Sequence, residues 1–326
     1  MTAARTTRER TPLAVVGPED PRYQDLVQRG FNKRFTPAPA YVRLVGSTDD
    51  VVTAVQDAVD GGLRLAVRSG GHCLKGFLGD PSIQVLIDTS LMSDVYFDPD
   101  MNAFAVEAGG MLGEVYKKLY LGWGVTIPAG ESPAVGVGGH IAGGAFGFIC
   151  RRHGLAVDHL YAVEVVVVDA EGTAGAVVAT REPDDPNHEL WWAHTGGGAG
   201  NFGVLTRCWF RSPNALGDDP ESLLPRAPSS VLVFRVEWKW DDIDEASFAT
   251  LANNYGEWAE RNADASLASA DRARAARAIA RADVMAGVCD ESVSGALHDA
   301  AGRYSHESEG CVSSAALQRP TDRRRL

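Results

Sequence analysis

Glycine is concentrated in three short stretches of this chain, and these stretches constrain its fold more than any other feature. Thirty-five of the 326 residues are glycine, about 11% against a usual ~7%. The clusters are residues 68–73 (RSGGHC), 136–144 (GVGGHIAGG) and 196–203 (GGGAGNFG). Glycine reaches positive φ without strain and lets a backbone approach a ligand closely. Because successive N–H groups in such loops form concave anion sites, the clusters predict a ligand that carries phosphate.

Two common nucleotide-binding motifs do not fit these clusters. Residues 198–203 match GxGxxG, but that motif requires a strand before the glycines and a helix after them. Here a strand is predicted after the glycines, at residues 204–210, and a Trp-containing helical segment precedes them. No cluster contains Gly-Lys-Ser/Thr, so a P-loop is also excluded. A nicotinamide dehydrogenase of the Rossmann type is excluded by the order of strand and helix.

Composition excludes several further classes. A net charge of −12 is opposite to the basic stripe of a nucleic-acid groove. The chain has no run of ~18 apolar residues, so no membrane span is predicted, and the polar N-terminus lacks the apolar region of a secretory signal. Five cysteines without pairing or metal spacing indicate a reducing compartment. We therefore expect an acidic cytoplasmic protein with no nucleic-acid, membrane or metal partner.

Apolar periodicity predicts a mixed arrangement of helices and strands. A Pro/Gly/Asp-rich stretch at residues 213–228 marks a boundary, and residues 231–240 alternate like the first strand of a second sheet. From residue 262 the chain is rich in Ala and Arg, and no strand period is present. Strands are predicted at residues 41–45, 63–67, 85–88, 103–107, 162–168 and 204–210, and helices at 51–58, 111–120 and 248–258.

Two histidines lie inside the glycine clusters. His72 follows a predicted strand, and its imidazole is a candidate acid or base, metal ligand or nucleophile. The metal role is disfavoured because no second ligand lies at helical spacing. His140 is bracketed by glycines, which favours a contact with ribose or phosphate. Surface or supporting positions are expected for His153, His159, His188 and His194, and buried thiols for Cys73, Cys150 and Cys208.

Taken together with residues 128–130 (PAG), the three clusters resemble those of the FAD-linked oxidases. The fold group is that of vanillyl-alcohol oxidase and p-cresol methylhydroxylase. Within it the chain is most similar to the berberine-bridge-enzyme-like branch and its bacterial hexose oxidases that tailor glycopeptide antibiotics. The resemblance implies an α+β fold whose PCMH-type FAD-binding domain consists of two α/β subdomains.

The resemblance also implies an order of domains. A lead-in at residues 1–34 precedes the FAD-binding domain at 35–214. An incomplete antiparallel-sheet substrate domain begins at 215–261, and an atypical Ala/Arg-rich tail follows at 262–326, whose composition makes it a candidate for disorder.

FAD is the cofactor that the resemblance implies. Residues 67–72 match the first pyrophosphate loop, and His72 matches the histidine that joins the flavin 8α-methyl carbon, a bond that fixes the ring and raises its potential. Residues 136–144 match the second phosphate loop, with His140 near the ribose, and residues 200–204 pass along the cofactor. The residues expected to bind FAD are Arg68, Ser69, Gly70, Gly71, His72, Ser132, Gly136, Gly138, Gly139, His140, Gly143, Gly203 and Val204.

The chain departs from the family pattern in two places. Where many members attach flavin a second time through Gly-x-Cys-Pro, residues 130–133 read GESP. The Ser132 hydroxyl is a poor nucleophile at neutral pH, so we expect attachment through His72 only. Glu131 places a carboxylate near the flavin, which disfavours an anionic reduced form. The tyrosine base of the family, in an Asn-Tyr sequence of its final segment, has no match after Trp258.

The resemblance implies an oxidase that transfers a hydride from an alcohol or sugar carbon to flavin, with O2 as the acceptor. The alternative is a flavin-binding remnant without turnover, because the base and one wall of the substrate pocket belong to the segment without a match. An altered or replaced terminus accounts for the tail in either interpretation.

Overall fold

The computed structural model of the protein describes residues 14–229, 234–239, 241, 243–261, 269–272 and 281–286. The chain divides into two compact units. The first contains residues 1–146 and 155–227, and the second contains residues 147–154 and 228–326. Within the described ranges, no helix combines the length and apolar character needed to cross a membrane.

A four-stranded sheet forms the first half of the first unit. Its order is β1-β2-β4-β3, with β4 parallel to both of its neighbours and β1 antiparallel to β2. All four residues of β4 are buried, as expected for a central parallel strand covered on both faces. The strands are β1 (Ala14–Val16), β2 (Tyr41–Leu44), β3 (Leu65–Arg68) and β4 (Val85–Asp88).

The second half of the unit contains a five-stranded sheet. Its order is β5-β6-β9-β7-β8, and every neighbouring pair is antiparallel. The predicted strand at residues 204–210 is therefore confirmed as the central strand β9, between β6 and β7. The strands are β5 (Val95–Asp98), β6 (Ala103–Glu107), β7 (Leu160–Val168), β8 (Ala174–Thr180) and β9 (Val204–Phe210).

Helices cover these sheets with the apolar faces that their sequences predict. The side chain of Ser47 caps the long helix α2 by accepting a hydrogen bond from the N–H of Asp50 at 3.2 Å. The buried face of α2 packs in one core with residues of both sheets, including Ile87 and Val166. A second long helix, α3, packs into a larger core with Phe104 and Phe210. The helices of this unit are α1 (Tyr23–Val27), α2 (Thr48–Asp60), α3 (Leu112–Trp123), α4 (Val137–Ala142) and α6 (His188–Ala193).

The second unit contains a three-stranded antiparallel sheet in the order β10-β12-β11. The predicted strand within residues 231–240 and the helix at 248–258 are confirmed as β10 and α7. The expectation of no strand beyond residue 262 is wrong at β11 and β12, because backbone pairing with a neighbouring strand requires no apolar period in the sequence. The elements are α5 (Cys150–His153), β10 (Phe234–Lys239), α7 (Glu245–Arg261), β11 (Ser269–Arg272) and β12 (Arg281–Ala286).

The remainder of the Ala/Arg-rich tail lies outside the described residues, at 262–268, 273–280 and 287–326. The expectation of disorder therefore falls mostly on residues that the structure does not describe.

The α+β class and the PCMH-type arrangement predicted from the sequence are confirmed. The domain boundaries stay predictions.

The expected polar lead-in differs from what the structure shows. Residues of β1 and α1 pack against β2 and β4, with Val16, Leu26 and Val27 buried beside Val42 and Leu86. A three-residue strand and a five-residue helix are too short to produce a period in the sequence, so tertiary contacts define them. Of the expected lead-in, residues 14–27 therefore contribute to the core of the first sheet.

Candidate functional site

The first glycine cluster begins where β3 ends, at a buried ion pair. Arg68 is 2% exposed and Asp88, at the end of β4, is fully buried. The Nε of Arg68 donates to Oδ2 of Asp88 at 2.9 Å, and its Nη1 donates to the carbonyl of Leu26. The guanidinium therefore fixes the strand end, and only the backbone of Arg68 remains for the ligand contact that the sequence predicts.

The first and second glycine clusters touch through their backbones. A Cβ added to Gly70 would lie 2.4 Å from the nitrogen of Gly136, and a Cβ added to Gly136 would lie 2.1 Å from the nitrogen of Gly70. Contacts this short do not occur for real Cβ atoms. Both positions therefore require glycine for space, and neither has a positive φ. The two predicted phosphate loops are brought into direct contact.

Ala108, which follows β6, links these loops to the second sheet. Its carbonyl accepts hydrogen bonds from the Ser69 hydroxyl at 2.6 Å and from the N–H of Gly138 at 2.9 Å. Its own N–H donates to the carbonyl of Thr206 in β9 at 2.9 Å. One peptide thus holds both glycine clusters at the end of a central strand.

The first two glycine clusters also supply backbone amide donors. Among the described residues, no acceptor receives the N–H of Gly70, Gly71, His72 or Gly139. Gly71 has a φ of +72°, a left-handed conformation that glycine adopts without strain. A Cβ on Gly139 would meet nothing within 4 Å. Gly71 is buried, and Gly70 and His72 are half-buried. A buried N–H normally has a partner, so the donors of this loop are suited to an anionic ligand such as a diphosphate.

The second glycine cluster is a helix and not the loop that the sequence predicts. Helix α4 begins after Gly136 and buries Val137 and Ile141. Each glycine in a helix costs roughly 1 kcal/mol relative to alanine, which is why the sequence favoured a loop. Packing of the two apolar side chains in the large core outweighs that cost. Gly143 follows the helix and donates its N–H to the carbonyl of His140 at 3.2 Å.

His140 holds a loop of its own chain. Its Nε2 accepts a hydrogen bond from the N–H of Gly130 at 2.9 Å, and the hydroxyl of Tyr116 donates to the Gly130 carbonyl at 2.6 Å. Both polar groups of Gly130 are therefore satisfied by side chains from α3 and α4. Because Nε2 is occupied, only Nδ1 remains for the predicted contact with ribose or phosphate, which stays a prediction.

The protonation of this cluster follows from its burial. Burial lowers the pKa of His140, which Glu131 raises and His72 lowers further through their charges. The imidazole is therefore neutral, as an acceptor at Nε2 must be. Burial, and then the charge of Glu131, raise the pKa of the Tyr116 hydroxyl, which keeps its proton for the Gly130 carbonyl.

The loop at residues 130–135 is also fixed to the start of α3. The carbonyl of Pro133 accepts from the N–H of Gly113 at 3.1 Å, and the carbonyl of Val135 accepts from the N–H of Leu112 at 3.0 Å. A Cβ on Gly113 would lie 2.8 Å from Cβ of Pro133. Ser132, the residue in place of the family's cysteine, is half-buried in this loop, and Glu131 is exposed.

The third glycine cluster leads into β9. Gly203 has a φ of +110°, and a Cβ there would lie 2.6 Å from the carbonyl oxygen of Val166. The side chain of Val204 is 7% exposed and packs in the core around α2. Only the backbone of these two residues remains for the cofactor contact predicted for them. Residues 196–202 form an exposed loop, which joins the site through β9 and Ala108.

His72 itself is half-buried, with a residue that the sequence did not identify against its ring. Phe31 stacks on His72, with ring centroids 4.2 Å apart and an angle of 18° between the rings. Phe31, Tyr116 and Ala108 were all missed. No motif marks them, because each acts through a tertiary contact.

In the part of the chain that the structure describes, the remaining histidines and the cysteines are buried or half-buried. His159 and His194 are each 5% exposed, so of the surface and supporting positions expected for them the surface position is excluded. The Nδ1 of His194 lies 2.8 Å from the carbonyl of Leu190. Cys208 is buried as predicted, and burial raises the pKa of its thiol, whereas Cys73 and Cys150 are half-buried. In the described ranges, no three His, Cys, Asp or Glu residues form a cluster able to hold a metal ion.

Comparison with known proteins agrees with this geometry. Residues 39–174 match the model of the FAD binding domain family. Aclacinomycin-N/aclacinomycin-A oxidase of Streptomyces galilaeus is 56% identical over 256 residues, which cover 78% of this chain and 47% of that protein.

The chain belongs to the FAD-linked oxidases of the berberine-bridge-enzyme-like branch.

Two solved structures of this branch have the same fold. The crystal structure of aclacinomycin oxidoreductase is 48% identical, with a TM-score of 0.85, and the match covers 92% of this chain and 62% of that one. The glycopeptide hexose oxidase complexed with teicoplanin is 46% identical, with a TM-score of 0.81, and covers 89% and 60%. The chain spans about half the length of the aclacinomycin oxidase of Streptomyces galilaeus.

FAD is the cofactor of this family, and the residues present fit it. The amide donors of Gly70, Gly71, His72 and Gly139 suit a diphosphate, and a side chain at Gly70 or Gly136 would fill the space that lets the two loops meet.

The glycine contact gives a matched pair of substitutions. We expect Gly136→Ala to lower the free energy of unfolding by about 3 kcal/mol or more, because backbone atoms cannot move aside as a rotamer can, and to abolish co-purification of flavin. Gly139 lies in α4, which begins after Gly136, and has open space around its Cβ. The free energy of unfolding of Gly139→Ala should therefore stay equal or rise by up to ~1 kcal/mol. Urea unfolding followed by tryptophan fluorescence, with flavin absorbance, measures both. Equal stability of the two variants would contradict the contact.

A second prediction concerns pH. Above pH 6.5, the ordinary pKa of histidine, His140 is neutral in the folded and unfolded chain. Below it the unfolded chain takes up a proton that the folded imidazole resists, so the free energy of unfolding falls as pH falls. His140→Gln, whose Oε1 can still accept from Gly130, should show a smaller decline between pH 7.5 and pH 5. The difference should be modest, because the ring is partly screened by solvent.

His194 provides the internal control, because burial lowers its pKa as well and it is present in both proteins. Denaturant midpoints measured in steps from pH 7.5 to pH 5 give the slopes. Identical slopes for the wild type and His140→Gln would show that His140 is not the group responsible.

Proposed function

We propose that this protein is an FAD-dependent oxidase that acts on the CH–OH group of an alcohol or a sugar, with O2 as the electron acceptor. FAD, when bound, supplies the acceptor for a hydride from the substrate carbon. The observation that supports the proposal is the backbone contact between Gly70 and Gly136, which joins two glycine clusters whose amide donors include several with no acceptor among the described residues. Two of the proteins named above are an aclacinomycin oxidase and a glycopeptide hexose oxidase.

The chain's own residues would hold the cofactor by three means. The N–H groups of Gly70, Gly71 and Gly139 would bind the pyrophosphate, since amide donors with no other acceptor are ready for an anion. Ser69 and Gly138, held on the Ala108 carbonyl, keep these donors in place. The loop at residues 130–135, pinned by Tyr116 and His140, would form the side of the site where the family carries its second attachment.

We propose a single covalent attachment, through the imidazole of His72. Ser132 stands where a thiolate would be needed for a second bond, and a hydroxyl is too weak a nucleophile at neutral pH. Glu131 adds a negative charge to the same loop, which disfavours an anionic reduced flavin.

A sugar-bearing small molecule is the substrate class that we propose, on the basis of the hexose oxidase relative. The whole protein's activity is part of this proposal, because the chain spans only about half the length of the aclacinomycin oxidase of Streptomyces galilaeus. No residue of the described part is assigned as the base that removes the hydroxyl proton.

Covalent attachment is tested by acid precipitation of the purified protein. We expect flavin absorbance to remain with the wild-type pellet and to be released from His72→Ala. His188→Ala, which changes a histidine of α6 outside the site, should retain flavin like the wild type. A wild-type protein without flavin, or a His72→Ala pellet that stays yellow, would contradict the assignment.

Oxidase activity is tested by anaerobic reduction. Mixing the flavin-loaded protein with a panel of sugars and alcohols should bleach the flavin band for at least one of them, and admitted O2 should restore it with formation of hydrogen peroxide. Flavin that is held but bleached by dithionite alone would favour the remnant without turnover.

A further inference from the structure

We propose that Phe31 is the positioning residue that orients the His72 imidazole for attachment to flavin. The inference rests on the proposed function, and it concerns a residue that lies before the matched FAD-binding region at residues 39–174. The two rings are nearly parallel, with centroids 4.2 Å apart and an angle of 18°. One face of the imidazole is therefore covered by an apolar ring.

The backbone places Phe31 on His72 directly. The N–H of Phe31 donates to the carbonyl of Gly71 at 2.8 Å, so residues 31 and 71 are joined one position from the stacked histidine. A Cβ on Gly71 would lie 3.5 Å from Cα of Gly30 and 3.4 Å from the carbonyl oxygen of Arg29. The segment at residues 29–31 thus runs close to the loop at Gly71, where the side chain of Arg68 also packs.

The same segment is tied to the ion pair that ends β3. Arg29 Nη1 lies 3.4 Å from Oδ2 of Asp88, the oxygen that also binds Arg68. Arg68 in turn donates to the carbonyl of Leu26 at the end of α1. Both partners of the stack are therefore placed by one buried charge pair, and their relative position is set by the fold and not by the flexible ends of side chains.

The exposure of Phe31 is consistent with a role beyond packing. Its side chain is 60% exposed, although a phenylalanine that served the core would be expected inside. It has no polar atom, so it cannot act as a base or nucleophile in the attachment. What an adjacent ring can do is restrict rotation of the imidazole and keep one ring nitrogen aimed in a fixed direction, which lowers the entropy lost on reaction.

The attachment is a balanced two-electron reaction. A bond forms between an imidazole nitrogen and the flavin 8α carbon, while the imidazole N–H and one C–H of that methyl group are lost. Both protons and the electron pair reside on the reduced ring system, and O2, the acceptor of the proposed oxidase, removes them as hydrogen peroxide. His72 must therefore meet a single carbon atom in the correct direction, and orientation controls the rate.

The test follows the rate of attachment separately from FAD binding. Protein produced in a flavin-starved host is mixed with FAD, and acid-stable flavin is measured over time together with the dissociation constant for unattached FAD. Phe31→Leu should attach flavin about 10- to 100-fold more slowly with a dissociation constant close to that of the wild type. Phe31→Tyr, which keeps the ring, should restore the rate.

Two further variants complete the design. Phe77→Leu, which alters a 72% exposed phenylalanine that follows the same loop, should attach flavin at the wild-type rate. Phe31→Met removes the ring at similar volume and replaces Phe31→Leu if that variant fails to fold. In the unloaded protein, the His72 Cε1–H proton signal should move when the Phe31 ring is removed.

The outcomes separate the two proposals. A wild type that binds FAD but never yields acid-stable flavin overturns the attachment through His72, and this inference with it. A wild type that attaches flavin while Phe31→Leu attaches at the same rate overturns the role of Phe31 alone. Loss of FAD affinity in Phe31→Leu in proportion to its rate would also overturn it, because that result reports a structural role.

Discussion

The close approach of two backbones at Gly70 and Gly136 is the constraint on which the site depends. Either Cβ would lie within 2.4 Å of the opposing backbone nitrogen, so the two segments can meet only where both lack side chains. Their meeting brings the end of a parallel strand, β3, to the start of helix α4, which packs in the core of the antiparallel sheet. Ala108 fixes the distance by accepting from Ser69 and Gly138 at once. A diphosphate site at this junction requires no cationic side chain, because amide groups supply the donors.

The charged side chains at the first glycine cluster, Arg68 and Asp88, are buried. The pair of Arg68 and Asp88 is almost completely buried, and removing one partner of such a pair is strongly destabilising, by about 3–5 kcal/mol, since the other charge is left unpaired. The Leu26 carbonyl accepts from Arg68, and Arg29 pairs with Asp88, so the pair links α1 and the residues after it to the ends of β3 and β4. A residue that the sequence suggests as a phosphate ligand is therefore a structural anchor, and the anchor places Phe31 and His72 together.

Much of the fold is readable from the sequence, because long buried strands and amphipathic helices leave a period. The strands at residues 85–88, 103–107 and 204–210 match the structure in their bounds, and the proximity of the first two glycine clusters follows from their composition. What the sequence hides is set by tertiary contact. Helix α4 forms against glycine's preference because Val137 and Ile141 are buried, and β1 is too short to have a period. The His72–Phe31 stack joins residues 41 positions apart in ways that no local motif records.

The conformation of the loop at residues 130–135 is held by hydrogen bonds that do not depend on the side chain of residue 132. The N–H and carbonyl of Gly130 are bound by His140 and Tyr116, and Pro133 caps the first turn of α3 through Gly113. None of these bonds involves the side chain of Ser132, so the loop would keep its backbone hydrogen bonds with either a serine or a cysteine at this position. The hydrogen bond from the N–H of Gly130 requires a neutral imidazole, because both ring nitrogens of a protonated His140 are donors. The geometry of this side of the site is therefore tied to the protonation of His140 and not to the identity of residue 132.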